Sequence, residues 1–391
     1  MRFQRLLHVA IAVLLLAGTG PLRAQEDSIT IGTRARIHSA ILKEDRTLLI
    51  SLPPDYADRR IRCPVIYLLD GSALFLQTVA DARFLASQGM APAMIVVAIE
   101  NTDRTRDLTP PSSKEKEKFP TSGGADRFRE FLVKELRPYL ESTYRTEPYS
   151  ILIGWSFGGL FAVHTLMEEP EAFGAYLAIS PSLWWDSEAE GAKAERGFAP
   201  GAGFRKFLYL THGRENNGIP KSVQAFTTIL GLKAPALLRW KFDYMSRDNH
   251  QSTPSRAIYD GLENLFDGWA LSEDRIPGVA EMERQFGRLT EAFGFPCRPS
   301  EGRLNRRAYA ALQRKKTDEA ISLFQYIIRL YPESPNAYDS LAEAYQAAGE
   351  PALALENSQS ACRLGEKYAD PNLPVFLGRL ESVRKMQTPS N

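Results

Sequence analysis

Short apolar runs alternate with amphipathic stretches over most of this chain. The runs are Val65–Leu69, Met94–Ile99, Ile151–Ile153, Ala175–Ile179, Phe207–Leu210 and Leu237–Tyr244. Each is nearly continuous in apolar character, as expected of parallel strands covered by helices on both faces. Two β-rich stretches, Ser28–Leu42 and Arg46–Pro53, come before them. Between the runs, Ala125–Tyr144 places Phe128, Phe131, Leu132, Leu136 and Leu140 on one helical face. This alternation predicts an α/β domain built on a mostly parallel, doubly wound sheet. Ligands of such a sheet sit beyond the carboxyl ends of its strands. Asp103–Gly124 is polar, with Pro110-Pro111 and the charge run Lys114–Lys118. It reads as a long loop on that rim, either a lid or a solvated charged segment.

The pattern changes after about Pro299. Leu304–Leu364 is Ala-rich and helical, and it repeats: Ala308 and Ala342, like Ala320 and Ala354, stand 34 residues apart. Tyr338, Leu341, Tyr345, Gly349, Ala354 and Ala361 follow the spacing of a tetratricopeptide unit. Two such units are fewer than a free-standing array needs, so this segment is expected to lean on the preceding domain or to self-associate. The expected division is 1–24, 25–299 and 300–391.

Residues 1–24 read as an export leader. Arg2 and Arg5 precede the apolar stretch Leu6–Ala17, and Ala24 supplies a small cleavage residue after Gly18, Gly20 and Pro21. That stretch is too short to span a bilayer, and no later one is long enough. The mature chain is therefore expected in the periplasm or outside the cell. With 44% hydrophobic and 24% charged residues, the composition is that of an ordinary globular protein. Loss of the leader removes three arginines and turns the formal charge of +1 slightly negative, which argues against a nucleic-acid partner. Cys63, Cys297 and Cys362 are too widely spaced for a zinc site or a disulfide framework.

Candidate chemistry centres on Gly154-Trp155-Ser156-Phe157-Gly158. A strand ends at a serine flanked by glycines, and a helix begins just after it, which is the context of a nucleophile elbow. The Phe157 N–H would then face an oxyanion at a helix N-terminus. A serine hydroxyl needs a base and a group that orients the base, following it in the order acid, then histidine. His250, after the last strand, is the histidine in the expected place. Glu215, after the Phe207–Leu210 strand, is the favoured acid, with Asp243 and Asp248 as rivals. The second oxyanion donor is expected from Gly71 or Ser72, after the Val65–Leu69 strand. Trp184 and Trp185 suit either a stacking platform for an aromatic or sugar-like group, or packing beneath the loop. No metal or phosphate-binding motif is present, so no cofactor is expected.

The stretches Val65–Gly71 (VIYLLDG), Asn101–Pro110 (NTDRTRDLTP), Ser122–Phe131 (SGGADRFREF), Gly154–Leu160 (GWSFGGL), Ile179–Trp185 (ISPSLWW) and Asn249-His250 carry a resemblance. Together they resemble the putative-esterase family of α/β-hydrolases, more closely its bacterial branch of enterobactin (trilactone siderophore) esterases. The resemblance runs from about residue 30 to 265. It implies an α/β-hydrolase fold, a Ser156/His250 pair with a variable acid, and a small-molecule ester substrate. It further implies that a loop arginine, Arg104 or Arg106, meets an anionic substrate. Trp155 departs from the family, which usually has histidine there. A competing expectation is an interaction protein, with residues 300–391 binding a partner and the hydrolase fold serving as scaffold.

Overall fold

The structure is a computed structural model describing residues 28–54, 56–57, 61–198, 204–272 and 277–387. Two compact units are distinguished, Met1–Ile31 and Gly32–Asn391. The first contributes only residues 28–31 to the described chain, so the expected leader at 1–24 lies outside it.

Within Gly32–Asn391 the apolar runs all become strands of one sheet. The strands are β1 (Thr33–Ser39), β2 (Glu44–Ser51), β3 (Cys63–Leu68), β4 (Ile95–Ile99), β5 (Thr146–Trp155), β6 (Ala175–Ile179), β7 (Lys206–Gly213) and β8 (Leu238–Met245). Their spatial order is β1-β2-β4-β3-β5-β6-β7-β8. From β4 to β8 every neighbouring pair is parallel, while β1 and β2 join as an antiparallel edge. Successive residues of a strand point to opposite faces. Ile66 and Leu68 accordingly enter one apolar cluster, and Val65 and Tyr67 enter the other. Both faces of the central strands are dry, which explains why their runs are continuous rather than alternating, while the edge strands β1 and β8 keep exposed positions.

The helices along the sheet are α1 (Gly71–Ser87), α2 (Arg104–Leu108), α3 (Ala125–Phe131), α4 (Arg137–Thr143), α5 (Phe157–Glu168), α6 (Trp185–Arg196), α7 (Ile219–Lys233), α8 (Thr253–Leu265) and α9 (Val279–Phe293). The helix expected over 125–144 forms and buries all five of its apolar positions. It carries a π turn at Leu132–Leu136 between α3 and α4. Pro138 supplies the reason: it has no N–H for the carbonyl of Lys134 and its ring crowds that carbonyl, so the ladder shifts register.

The segment 103–124 is less irregular than expected. Asp103 caps α2 by accepting the Arg106 N–H at 2.9 Å. Beneath it, the fully buried Arg46 donates to Asp107 Oδ2 at 2.6 Å and Glu44 Oε1 at 2.7 Å. Removing one partner of a buried pair like this costs about 3–5 kcal/mol, because the other charge is left stranded. The network therefore clamps the start of this segment to β2.

Five further helices follow: α10 (Glu301–Gln313), α11 (Thr317–Leu330), α12 (Pro335–Ala348), α13 (Pro351–Tyr368) and α14 (Leu373–Gln387). Ala308, Ala320, Ala342, Ala354 and Ala361 are fully buried, so the repeated alanines mark close helix contacts. Gly349 ends α12 at φ 77°, a left-handed position that only glycine takes without cost. Leu304, Ala308 and Phe324 join the same apolar cluster as Met282 and Phe286 of α9 and Ile66 and Ile151 of the sheet. The helical segment thus shares the core of the α/β domain.

A chain ending at residue 299 is expected to lose roughly 5–10 °C of melting temperature, since several apolar side chains lose their cover. It should also bind an apolar dye more strongly. Differential scanning calorimetry of 25–299 against 25–391 checks this, and equal melting temperatures would show that the shared core contributes no stability.

Candidate functional site

Ser156 sits between β5 and α5 at φ 60°, ψ −114°. A non-glycine residue held there costs on the order of 1–3 kcal/mol, so its surroundings must over-determine it. A Cβ on Gly154 would run into the carbonyl oxygen of Gly158, so only glycine permits the turn. The Ser156 N–H donates to Ile179 O at 2.9 Å, and its carbonyl accepts from Leu160 N at 2.9 Å and Ser182 N at 3.1 Å. These three hydrogen bonds, each worth about 1 kcal/mol net, are enough to hold the strained residue. Ser156 is left half-exposed at the carboxyl edge of the sheet.

The loops after β7 and β8 bring the next groups to it. His250 Nε2 lies 3.2 Å from Ser156 Oγ, and His250 Nδ1 lies 2.9 Å from Glu215 Oε2. Glu215 Oε1 also accepts from Ser180 Oγ at 2.7 Å and from Gly213 N–H at 3.1 Å. Burial pushes the Glu215 carboxyl upward. Hydrogen bonds from His250, Ser180 and the Gly213 amide outweigh burial and hold it below the usual glutamate range. An ionised Glu215 assigns the proton to Nδ1 and leaves Nε2 free to accept from the serine hydroxyl. The rival carboxylates are engaged elsewhere. Asp243 accepts from Tyr209 OH at 2.9 Å, and Asp248 from Ser252 Oγ at 3.0 Å and Arg256 Nε at 3.2 Å.

The other described histidines have different partners. His164 is buried between Asp126 and Glu190, each 3.0 Å away. His212 Nδ1 meets Gly213 O at 2.8 Å, and His38 meets Asp45 on the surface.

Leu69 N donates to Ile153 O at 2.9 Å, which sets the start of α1 beside the elbow. Asp70 turns the chain at φ 55°, and α1 begins at Gly71. A Cβ on Gly71 would lie 2.8 Å from Ile99 O, so the backbone here is packed tightly against the end of β4. The first N–H groups of a helix lack intrahelical acceptors. This leaves the amides of Gly71 and Ser72 at one helix start and of Phe157 at another. The Ser72 hydroxyl itself turns to Glu100 Oε1 at 3.1 Å.

The two arginines of the 101–110 stretch part company. Arg104 forms a two-pronged pair with Asp70, at 2.6 and 2.9 Å, and donates to the Trp155 carbonyl at 3.0 Å. Arg106 is committed to Glu44 and Asp107, at 2.6 and 2.7 Å, and these bonds raise its pKa. Its guanidinium thus belongs to the clamp on β2 rather than to a ligand. The tryptophans divide similarly. Trp185 is buried and donates to Pro110 O at 3.1 Å, so it packs under the loop. Trp184 stays half-exposed beside Phe119 and Phe157, with the Lys118 ammonium 5.9 Å from its ring centre.

Sequence reasoning passed over Asp70, Ser180 and Ser182. Ser180, at φ 42°, holds Glu215, and Ser182 Oγ lies 3.4 Å from Ser156 Oγ. Their signal was present: polar residues placed directly after an apolar strand, on the ligand-bearing edge. A cavity of about 410 Å³ opens at the opposite, amino ends of β3–β5, lined by Pro64, Met94, Glu147, Arg298 and Arg303. None of the candidate site residues lines it.

Comparison with known proteins agrees with this architecture. The family described as Putative esterase matches residues 39–213. The siderophore enterobactin esterase of Emericella nidulans is 35% identical over 228 residues, covering 51% of this chain and 69% of that protein. The siderophore triacetylfusarinine C esterase of Aspergillus fumigatus is 35% identical over 159 residues, covering 37% of this chain but only 53% of its own length. The solved IroE-like serine hydrolase of Shewanella oneidensis superposes with a TM-score of 0.69 at 30% identity, covering 76% of this chain and 99% of that one. A nucleophile-elbow turn at the carboxyl edge of a mostly parallel sheet, together with these matches, places the chain in the putative-esterase family.

Proposed function

We propose that this protein is an exported serine esterase that cleaves carboxylic esters of the siderophore type. The observation that supports it most is the continuous hydrogen-bond chain from Ser156 Oγ through His250 to Glu215. In this reading Ser156 Oγ attacks the ester carbonyl while His250 Nε2 takes its proton. The tetrahedral oxyanion accepts from the amides of Phe157 and of Gly71 or Ser72, at two helix N-termini that favour negative charge. His250 then returns the proton to the departing alkoxide. Water releases the acyl group by the same route in reverse. Glu215, ionised and held by Ser180 and Gly213, stabilises the imidazolium in both halves.

The substrate class rests on the relatives, whose names describe esterases of enterobactin and triacetylfusarinine C. Trp184, Phe119 and Phe157, with Lys118 beside them, would supply a stacking wall and a cation to a ring bearing negative charge. Arg104 enters as a brace for Asp70 and the elbow. Residues 25–299 would hold the catalytic machinery and 300–391 a tetratricopeptide-like segment, leaving its outer surface for a protein partner or self-association. The leader pattern at 1–24 supports a periplasmic or secreted destination.

Hydrolysis of catecholate and hydroxamate trilactones, feruloyl sugars and a simple activated ester tests the reading. The trilactones should turn over fastest, and Ser156→Ala should lower every rate by at least about 1,000-fold without loss of folding. Near-wild-type turnover in Ser156→Ala would end the nucleophile assignment.

Among Glu215→Gln, Asp243→Asn and Asp248→Asn, the first should lose the most activity, by roughly 100-fold, and less than Ser156→Ala. A depressed carboxyl pKa gives stability that is present above the unfolded value, near 4.5, and lost as pH falls through the folded one. The melting-temperature gap between wild type and Glu215→Gln should therefore be open at neutral pH and close as the pH falls below the ordinary glutamate range, through the lowered folded value. A greater loss of activity in Asp248→Asn would move the acid to the His250 loop.

A further inference from the structure

Trp155 lies one residue before the serine, and its side chain reaches the other end of the hydrogen-bond chain. The indole Nε1–H donates to the backbone carbonyl of His250 at 3.0 Å. The indole and imidazole rings are 5.0 Å apart between centres and tilted by 38°. This contact bridges 95 positions of sequence and joins the serine strand to the histidine loop.

The two sides of the contact differ in rigidity. Trp155 is the last residue of β5, paired in register with Ile179 of β6. Its carbonyl is held by Arg104, whose guanidinium is fixed by Asp70, and Asn101 Nδ2 in turn donates to Asp70 at 2.7 Å. His250 belongs to a short turn between β8 and α8, held locally by Asn249 Oδ1 accepting from Gln251 N and Ser252 N at 3.0 and 3.1 Å. Arg214 N donates to Asp248 O at 2.6 Å, which ties the turn to the Glu215 loop but not to the serine strand. The indole makes that missing connection. A drift of the turn by about 1 Å would lengthen the Ser156–His250 bond beyond useful proton transfer.

We propose that Trp155 is a positioning residue that sets the reach of His250 toward Ser156, through its N–H on the His250 carbonyl and its ring against the imidazole. The ring adds a second effect. When His250 has taken the proton from Ser156 Oγ, the imidazolium lies against an aromatic face that attracts positive charge. The donor holds the backbone in both protonation states, and the face favours the charged one. The proposal rests on Ser156 and His250 acting as nucleophile and base.

Two variants separate the effects: Trp155→Phe keeps a ring and loses the donor, and Trp155→Leu loses both. They are measured on the full chain with a simple activated ester, beside Ser156→Ala and wild type. Trp155→Phe is expected to lose roughly 5-fold and Trp155→Leu roughly 30-fold in kcat, with KM within about 2-fold of wild type. The rate of serine labelling by a fluorophosphonate should fall by the same factors. A purely structural role would lower the melting temperature and the active fraction and leave kcat per labelled site unchanged. Wild-type kcat in Trp155→Phe and Trp155→Leu, with Ser156→Ala inactive, would overturn the proposal and leave the serine assignment standing. If Trp155→Leu does not fold, Trp155→Phe alone decides, because wild-type kcat there removes the role of the donor. Activity in Ser156→Ala would instead remove the premise.

Discussion

Ser156 is held where few side chains can be, and the rest of the site is arranged around that fact. Its φ of 60° and ψ of −114° lift the hydroxyl clear of the backbone. The turn closes only because Gly154 presents no Cβ to the carbonyl of Gly158. It stays closed because Ile179, Ser182 and Leu160 satisfy the serine's own backbone groups. The end of β6, the loop after it and the first turn of α5 thus carry the strain, and a parallel sheet is what brings the carboxyl ends of its strands level with one another.

That alignment explains why so many functional candidates meet along one edge. Arg104 follows β4, Gly71 follows β3, Ser156 follows β5, Ser180 and Ser182 follow β6, Glu215 follows β7 and His250 follows β8. In sheet order they form a row. Named bonds link members of the row: Arg104 to Asp70 and Trp155, Ser180 to Glu215, Glu215 to His250, and His250 to Ser156. Low local dielectric strengthens such a chain when all its members are paired, and makes a missing partner costly. The same rule governs the rim, where Arg46 and Arg106 neutralise Asp107 and Glu44 and fix the base of the aromatic loop. Phe119, on that loop, then packs on Phe157 beside the serine and on the buried Trp185.

The histidines show how burial and partners separate similar residues. His164 is the more enclosed, yet Asp126 and Glu190 hold it in a closed ion-pair group with no hydroxyl among its bonded partners. His250 has one carboxylate on one nitrogen and one serine hydroxyl on the other. The second arrangement allows a proton to move, and the first only stabilises a charge.

Much of this was legible in the residue order. Continuous apolar runs meant strands, and each became one, buried on both faces within the sheet though not at the β8 edge, because the period of side chains along a strand is a local property. The elbow was legible for the same reason: glycines at fixed offsets from a serine answer to a steric demand within five residues. Chain order pointed to His250 and favoured Glu215 over Asp243 and Asp248. The π turn at Leu132–Leu136, the short helix Arg104–Leu108, the ion pairs of Arg106 and the division of packing and exposure between Trp185 and Trp184 were not legible. Nor was the indole of Trp155 reaching His250. These depend on distances between segments tens of residues apart, set only when the sheet order brings their ends together. Local sequence determined which elements form and where a strained serine turn can stand. The tertiary structure decided which carboxylate meets the histidine, which carboxylate each loop arginine pairs with and which tryptophan is left open, because charge pairing and burial are properties of the assembled edge.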